Sequence, residues 1–248
     1  MSVTSESVRC AIVLAAGNGD RFRDSSGGSK LLHPFLGQPL LLRTLATARD
    51  AGVQSIVLVI GYEAERVRVL VQQAAPPGLS ISFRFNPDWR LENGVSVLAA
   101  RRDVPGGRFA LLMGDHLFDA HVLHQLLNTP LAPEESVLAV DAKAVAPEVA
   151  AEATKVRRDG SRIVAIGKEL TEYDALDTGM FVCAPALFDA LEASRRAGDT
   201  TLSGGVRLLA ARSLMRGAEI GDALWCDIDT LSDLEAAEAA LGVATEPA

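Results

Sequence analysis

Two kinds of residue in this chain suit phosphate chemistry: cations beside glycines, and carboxylates at the ends of apolar runs. The run Ala11–Ala15 stops at Gly17-Asn18-Gly19-Asp20-Arg21-Phe22. A strand that turns on glycine frees backbone N–H groups in a small concavity, and such a nest binds phosphate oxygens. Arg21 adds a positive charge. Lys30 adds a second, beyond the Ser25-Ser26-Gly27-Gly28-Ser29 run, which predicts a flexible basic lid. A nucleoside triphosphate suits this combination. Phe22 stands where a dinucleotide fingerprint needs its third glycine, and no G-x-x-x-x-G-K-[ST] occurs, so neither of those motifs applies.

Carboxylates follow. Leu111-Leu112-Met113-Gly114-Asp115-His116 predicts a strand that delivers Asp115 to the carboxyl edge of a sheet, where open α/β folds bind ligands. In Trp225-Cys226-Asp227-Ile228-Asp229-Thr230, strand alternation predicts Asp227 and Asp229 on one face. Two neighbouring carboxylates repel unless a cation offsets them. With Asp115 they suit Mg2+, which takes oxygen ligands and substrate phosphates. The alternative is that one of the pair caps the last helix and only the other acts. His116 suits a hydroxyl or a phosphate, although a single histidine is more often structural.

Weaker signals complete the set. Asn86-Pro87-Asp88-Trp89 and Asn93-Gly94-Val95-Ser96 form a polar patch. Lys155 and Lys168 flank a predicted hairpin and suit a second phosphate. Asp177-Thr178-Gly179 opens a later strand, where an aspartate suits sugar or polyol hydroxyls.

The elements that position these residues alternate. Strands are predicted at 8–15, 55–60, 81–86, 109–113 and 136–141, with helices at 39–51, 63–75, 94–102 and 120–128 between them. This pattern implies a parallel sheet covered by helices on both faces. After Asp141 it changes. Segments 153–156 and 163–167 flank Arg158-Asp159-Gly160-Ser161, a hairpin signal. A strand at 177–184, helices at 185–195 and 202–211, and a short strand at 225–229 follow. Ser232 is expected to cap a final helix, and Thr245–Ala248 to fray. One α/β domain over 1–248, with an antiparallel insertion near 143–180, accounts for the whole.

Composition sets bounds. The chain has 248 residues, 48% apolar, with net charge −8. That charge argues against general nucleic-acid binding. Cys10, Cys183 and Cys226 fit no metal or disulfide spacing and are expected to be buried thiols in a reducing cytoplasm. No stretch approaches the ~20 apolar residues of a membrane span, and Met1–Ser7 has no apolar signal core.

Taken together, L-A-A-G-N-G-D-R-F with Lys30, then G-D-H, A-T-K-V, I-G-K-E-L, D-T-G-M-F and W-C-D-I-D-T-L-S-D-L, resemble the nucleotidyltransferases that make activated sugars and alcohols. The order of the later motifs is similar to the inositol-1-phosphate cytidylyltransferase subgroup. The resemblance spans about 8–240. Many relatives have proline just before the signature lysine, where this chain has Ser29. The resemblance implies a Rossmann-like three-layer nucleotidyltransferase fold with a mostly parallel mixed sheet. It implies that Leu14, Ala15, Ala16, Gly17, Asn18 and Gly19 line the nucleotide pocket, and that Asn93 and Ser96, with Gly61 nearby, approach base and ribose. Arg21 and Lys30 would hold the triphosphate, and Asp115 with Asp227 or Asp229 would hold Mg2+. Lys155 and Lys168 would take the incoming phosphate monoester, with His116, Asp177, Thr178 and Gly179 beside its polyol.

The implied partners are CTP and a phosphate monoester, with inositol 1-phosphate favoured, and the implied product is CDP-inositol. A membrane CDP-alcohol phosphotransferase would use that product. A homodimer is compatible with the chain. Rivals are phosphocholine cytidylyltransferase, a hexose-1-phosphate uridylyl- or guanylyltransferase, and a nucleotide-sensing module without turnover. With two Trp and two Tyr, the chain has little material for the aromatic cage of a quaternary ammonium.

Overall fold

Short runs of valine, isoleucine and leucine, each cut off by a polar turn, set the centre of the molecule. The computed structural model describes residues 8–26, 28–104, 106–143 and 147–243. Its strands are β1 (Cys10–Ala15), β2 (Pro34–Phe35), β3 (Gln38–Pro39), β4 (Ser55–Ile60), β5 (Ser80–Phe85), β6 (Phe109–Met113), β7 (His116–Phe118), β8 (Ser136–Asp141), β9 (Lys155–Asp159), β10 (Arg162–Gly167), β11 (Ala175–Cys183), β12 (Met215–Glu219) and β13 (Trp225–Asp227). Its helices are α1 (Asp20–Ser26), α2 (Leu40–Asp50), α3 (Ala64–Ala74), α4 (Asn93–Ala99), α5 (Ala120–Leu127), α6 (Pro147–Glu152), α7 (Ala186–Arg196), α8 (Leu202–Ala211) and α9 (Leu231–Val243).

Nine strands form one mixed sheet in the order β5-β4-β1-β6-β11-β8-β12-β10-β9. β1 runs parallel to both β4 and β6. Helices cover both faces of these strands, which is why β1 is buried at every position rather than alternating. Ala11, Val13 and Ala15 face a core with α2, α3 and α5. Ile12, Leu14 and Ala16 face a second core with α4, α7 and α8. The three layers and the mixed sheet match the nucleotidyltransferase fold expected from the sequence.

β11 is antiparallel to both of its central neighbours, β6 and β8. The predicted antiparallel insertion is a continuation of the main sheet. β9 and β10 pair around a Gly160-Ser161 turn, and β9 also pairs with the start of β11. The hairpin arms are longer than predicted.

Four expectations are corrected. The segment after Gly19 begins as helix α1 rather than a basic loop, because Phe22 is fully buried against Phe35, Leu40 and Ile228 and pins the turn. β13 ends at Asp227, so Asp227 and Asp229 do not share a strand face. Thr230, not Ser232, caps α9. The Asp233 carboxylate accepts from the Thr230 and Asp229 N–H groups, and the Thr230 hydroxyl accepts from Asp233 N–H, a reciprocal cap. Cys10 and Cys183 are buried as expected, whereas Cys226 is half-buried. β2, β3, β7 and β12 had no counterpart in the sequence reading. The Met1–Ser7 and Thr245–Ala248 segments lie outside the described residues. Among the described residues, no helix is long and apolar enough to cross a membrane.

Candidate functional site

The carboxyl ends of β1, β6 and β8 meet the amino end of β11, and the sheet order makes this the place where a crevice forms. A cavity of about 950 Å3 opens there. Leu14, Ala16, Gly17 and Asn18 line one side. Ala15 points the other way, into the core under α2, which corrects its expected place in the pocket. Gly19 packs against the Lys30 side chain. Gly61 does not line the cavity. A Cβ there would come within 2.5 Å of Trp89 and 2.7 Å of the Ala16 carbonyl, so only glycine permits that contact. Asn93 and Ser96 do line it, held by short polar links. Asn93 Oδ1 accepts from Leu202 N–H at 2.8 Å, and Ser96 Oγ accepts from Asn86 Nδ2 at 2.9 Å.

The cations sit differently from the predicted lid. Lys30 lies in a 3-10 turn, with its side chain only 7% exposed. Its ammonium reaches Asp115 Oδ2 at 2.8 Å and Asp229 Oδ1 at 3.1 Å. Burial works against its charge, but Asp115, Asp227 and Asp229 together hold its pKa well above the ordinary lysine value. Arg21, at the start of α1, contacts Asp229 Oδ2 at 2.6 Å and Glu152 Oε2 at 3.2 Å. Glu152 is a participant that the sequence did not signal, since nothing in its local run points to a site.

Asp227 is set by strand pairing, because β13 lies antiparallel to β7 with Asp227 opposite His116. His116 Nε2 is 3.3 Å from Asp227 Oδ1. His116 Nδ1 is 3.0 Å from the Thr178 carbonyl, which only accepts, so Nδ1 carries hydrogen. Burial opposes the imidazolium, yet the Asp227 carboxylate, then Asp115 and the Thr178 carbonyl, push its pKa up to about 9. The same contact, with Lys30 and Arg21, overcomes burial and holds Asp227 below the carboxylate range. These two shifts describe one interaction and count once.

The metal-free protein should therefore lose stability as pH rises. The folded pKa of His116 lies above the unfolded value, so its contribution is complete below about 6.5 and vanishes through 9. The contribution is at most about 3 kcal/mol. Calorimetry in chelator should show Tm falling across that window, and His116→Gln should flatten the fall. Equal slopes in both proteins would contradict it.

Ligand atoms of Asp115, His116 and Asp227 lie within 4.8 Å of one another. The two carboxylates are hard oxygen donors of the kind Mg2+ takes alongside substrate phosphates. His116 keeps its Nε2 proton facing Asp227 and suits donation better than ligation. The donor set therefore fits Mg2+ at Asp115 and Asp227.

On the other side of the cavity, Lys168 and Asp177 line the wall. Asp177 Oδ1 accepts from Gly179 N–H at 2.8 Å. Burial pushes its pKa up to about 6, against the pull of that N–H and of His116. Two predicted acceptor residues, Lys155 and Thr178, do not line the cavity and make structural bonds instead. The Lys155 ammonium donates to the Lys168 carbonyl at 2.6 Å, and the Thr178 hydroxyl to the Ala139 carbonyl at 2.8 Å. Gly179 lines the cavity, but its backbone at φ +75° also leaves room for the His116 ring. The sequence reading also missed Trp225, whose indole N–H donates to Asp141 Oδ2 at 2.7 Å in the same wall.

The MobA-like NTP transferase domain family matches residues 11–213. A protein of Rubrobacter xylanophilus named bifunctional IPC transferase and DIPP synthase is 38% identical over 238 residues, covering 92% of this chain and 51% of its own length. Its namesake in Aquifex aeolicus is 32% identical, covering 93% and 51%. The chain thus spans about half the length of these curated relatives. Among solved structures, the inositol-1-phosphate CTP transferase from T. maritima is similar, with TM-score 0.83, 26% identity and 96% of each chain covered.

Proposed function

The chain belongs to the MobA-like NTP transferase family, and from nucleotidyl transfer as its chemistry we propose that it moves CMP from CTP to inositol 1-phosphate, giving CDP-inositol and pyrophosphate. The observation that carries this reading is the placement of Lys30 and Arg21 on the carboxylates of the same crevice, between the glycine turn and the Asp177 wall. The names of its relatives support the acceptor.

The mechanism follows from charge. A phosphate monoester is anionic near neutral pH, so its oxygen attacks the α-phosphorus without a general base, and pyrophosphate leaves in line. The obstacle is repulsion between two polyanions. Lys30, fully charged and preplaced, and Arg21 compensate the triphosphate, which is positioning plus electrostatic stabilisation. Lys168 faces the incoming phosphate, and Asp177 accepts from polyol hydroxyls. Asp115 and Asp227 would hold Mg2+, which would supply further positive charge to the phosphate oxygens. Among the described residues, the tryptophans lining this cavity are Trp89 and Trp225, fewer rings than the cage a choline needs.

A matrix of four nucleoside triphosphates against several phosphate monoesters, reading pyrophosphate, tests this. CTP with inositol 1-phosphate should turn over fastest, and only with a divalent cation. A protein that binds CTP and releases nothing with any ester would be a sensor, and the proposal would fail.

A further inference from the structure

Asp229 stands apart from the acidic pair. It lies beyond the end of β13, and its backbone N–H is tied into the cap of α9 through Asp233. Both of its carboxylate oxygens are already taken. Oδ1 accepts from Lys30 and Oδ2 from Arg21. Asp115, His116 and Asp227 bring their ligand atoms together without it.

We infer that Asp229 is not a metal ligand but a resident anion, which holds Lys30 and Arg21 where a triphosphate will need them. The inference rests on the proposed function, since it takes these two cations as the triphosphate's partners. Its physical basis is the geometry of one carboxylate bridging two cations that come from distant parts of the chain. In the empty crevice Lys30 and Arg21 repel each other, while Asp115 holds only the first and Glu152 only the second in the ion pairs they form. Asp229 reaches both, so its charge offsets their mutual repulsion and ties the two heads to each other. Arriving phosphate oxygens then displace or share a partner already in place, and no side chain has to be ordered at that moment. The same charge competes with the triphosphate, so Asp229 weakens ground-state binding while it orders the cations. Asp227 has the opposite standing: its carboxylate faces His116 and Asp115, and a cation bound there would gain from it directly.

The test separates the two aspartates by binding alone. Mn2+ affinity is read by electron paramagnetic resonance, and inorganic tripolyphosphate affinity by calorimetry in chelator, on the full chain. Neither probe depends on the base or the acceptor, so the outcome stands even if CTP or inositol 1-phosphate is the wrong substrate. Asp229→Asn should leave the Mn2+ Kd within about twofold of the parent and tighten tripolyphosphate about threefold to tenfold, as expected for roughly 1 kcal/mol of relieved repulsion. Its kcat in the pyrophosphate assay should nevertheless fall about tenfold or more. Asp227→Asn should weaken Mn2+ about tenfold or more. Asp229→Ala is measured alongside, and if one variant fails to fold the other decides. A tenfold loss of Mn2+ affinity in either Asp229 variant, or weaker tripolyphosphate binding, would overturn the assignment.

Discussion

Lys30→Ala lowers kcat by roughly 10²–10³-fold, equivalent to about 3–4 kcal/mol of barrier. Its ammonium is almost wholly buried and held by two carboxylates, at 2.8 and 3.1 Å. A group fixed this way needs no reorganisation when charge builds on the α-phosphate. Alanine removes that charge and leaves Asp115 and Asp229 facing each other. Each keeps more than a quarter of its side chain exposed, so water hydrates them in part. The loss in stability should then stay below the roughly 3–5 kcal/mol of a fully buried orphaned charge. Binding of Mn2+ should be no weaker, because Lys30 competes with a cation for Asp115. Steady-state kinetics, a thermal melt and the Mn2+ titration read the three effects separately. Near-normal turnover would remove Lys30 from the mechanism.

Gly179→Ala should cost more stability than any other single methyl in the crevice. Gly179 sits at φ +75°, a conformation that costs an alanine about 1–2 kcal/mol. Its Cβ would also lie 2.5 Å from His116 Nδ1 and 3.0 Å from Met113. The imidazole cannot step aside without losing Thr178 on one edge and Asp227 on the other. Overpacking adds about 1–3 kcal/mol, which together lowers Tm by roughly 10 °C. Gly160→Ala, at φ +56° in the hairpin turn with open space around it, is the matched control. It carries the backbone strain alone. Should both variants melt together, the ring is not wedged where the structure places it.

Much of the scaffold was legible because apolar runs and glycine turns are local signals. β1, β4, β6 and β8 follow directly from such runs, and so does the delivery of Asp115 to the edge. What escaped depends on distance. Lys30 and Asp229 are separated by 199 positions, and no spacing rule joins them. The shared face of Asp227 and Asp229 failed because the Thr230–Asp233 cap ends the strand early. β12 escaped because Met215-Arg216-Gly217-Ala218-Glu219 shows no strand-like alternation. It is strand all the same, since β8 and β10 pair with it on both sides and Arg158 lies across its glycine. Lys155 and Thr178 suit a ligand by their local sequence, yet their polar atoms bond to the Lys168 and Ala139 carbonyls, contacts that only the folded chain reveals.

β11 bears on how this scaffold could be re-tailored. Its first residues pair with the ends of β8 and β9 beside Asp177, and its last three pair with β6 at Phe109–Leu111. On the proposed function, one strand would then carry both Asp177, on the acceptor wall, and Gly179, against which the His116 ring packs. On the same reading, swapping side chains along the β9–β10 arms should change acceptor choice and leave the Lys30–Asp115 contact undisturbed. Sliding β11 by one residue would invert its faces, and Asp177 and Gly179 would leave the crevice in the same stroke.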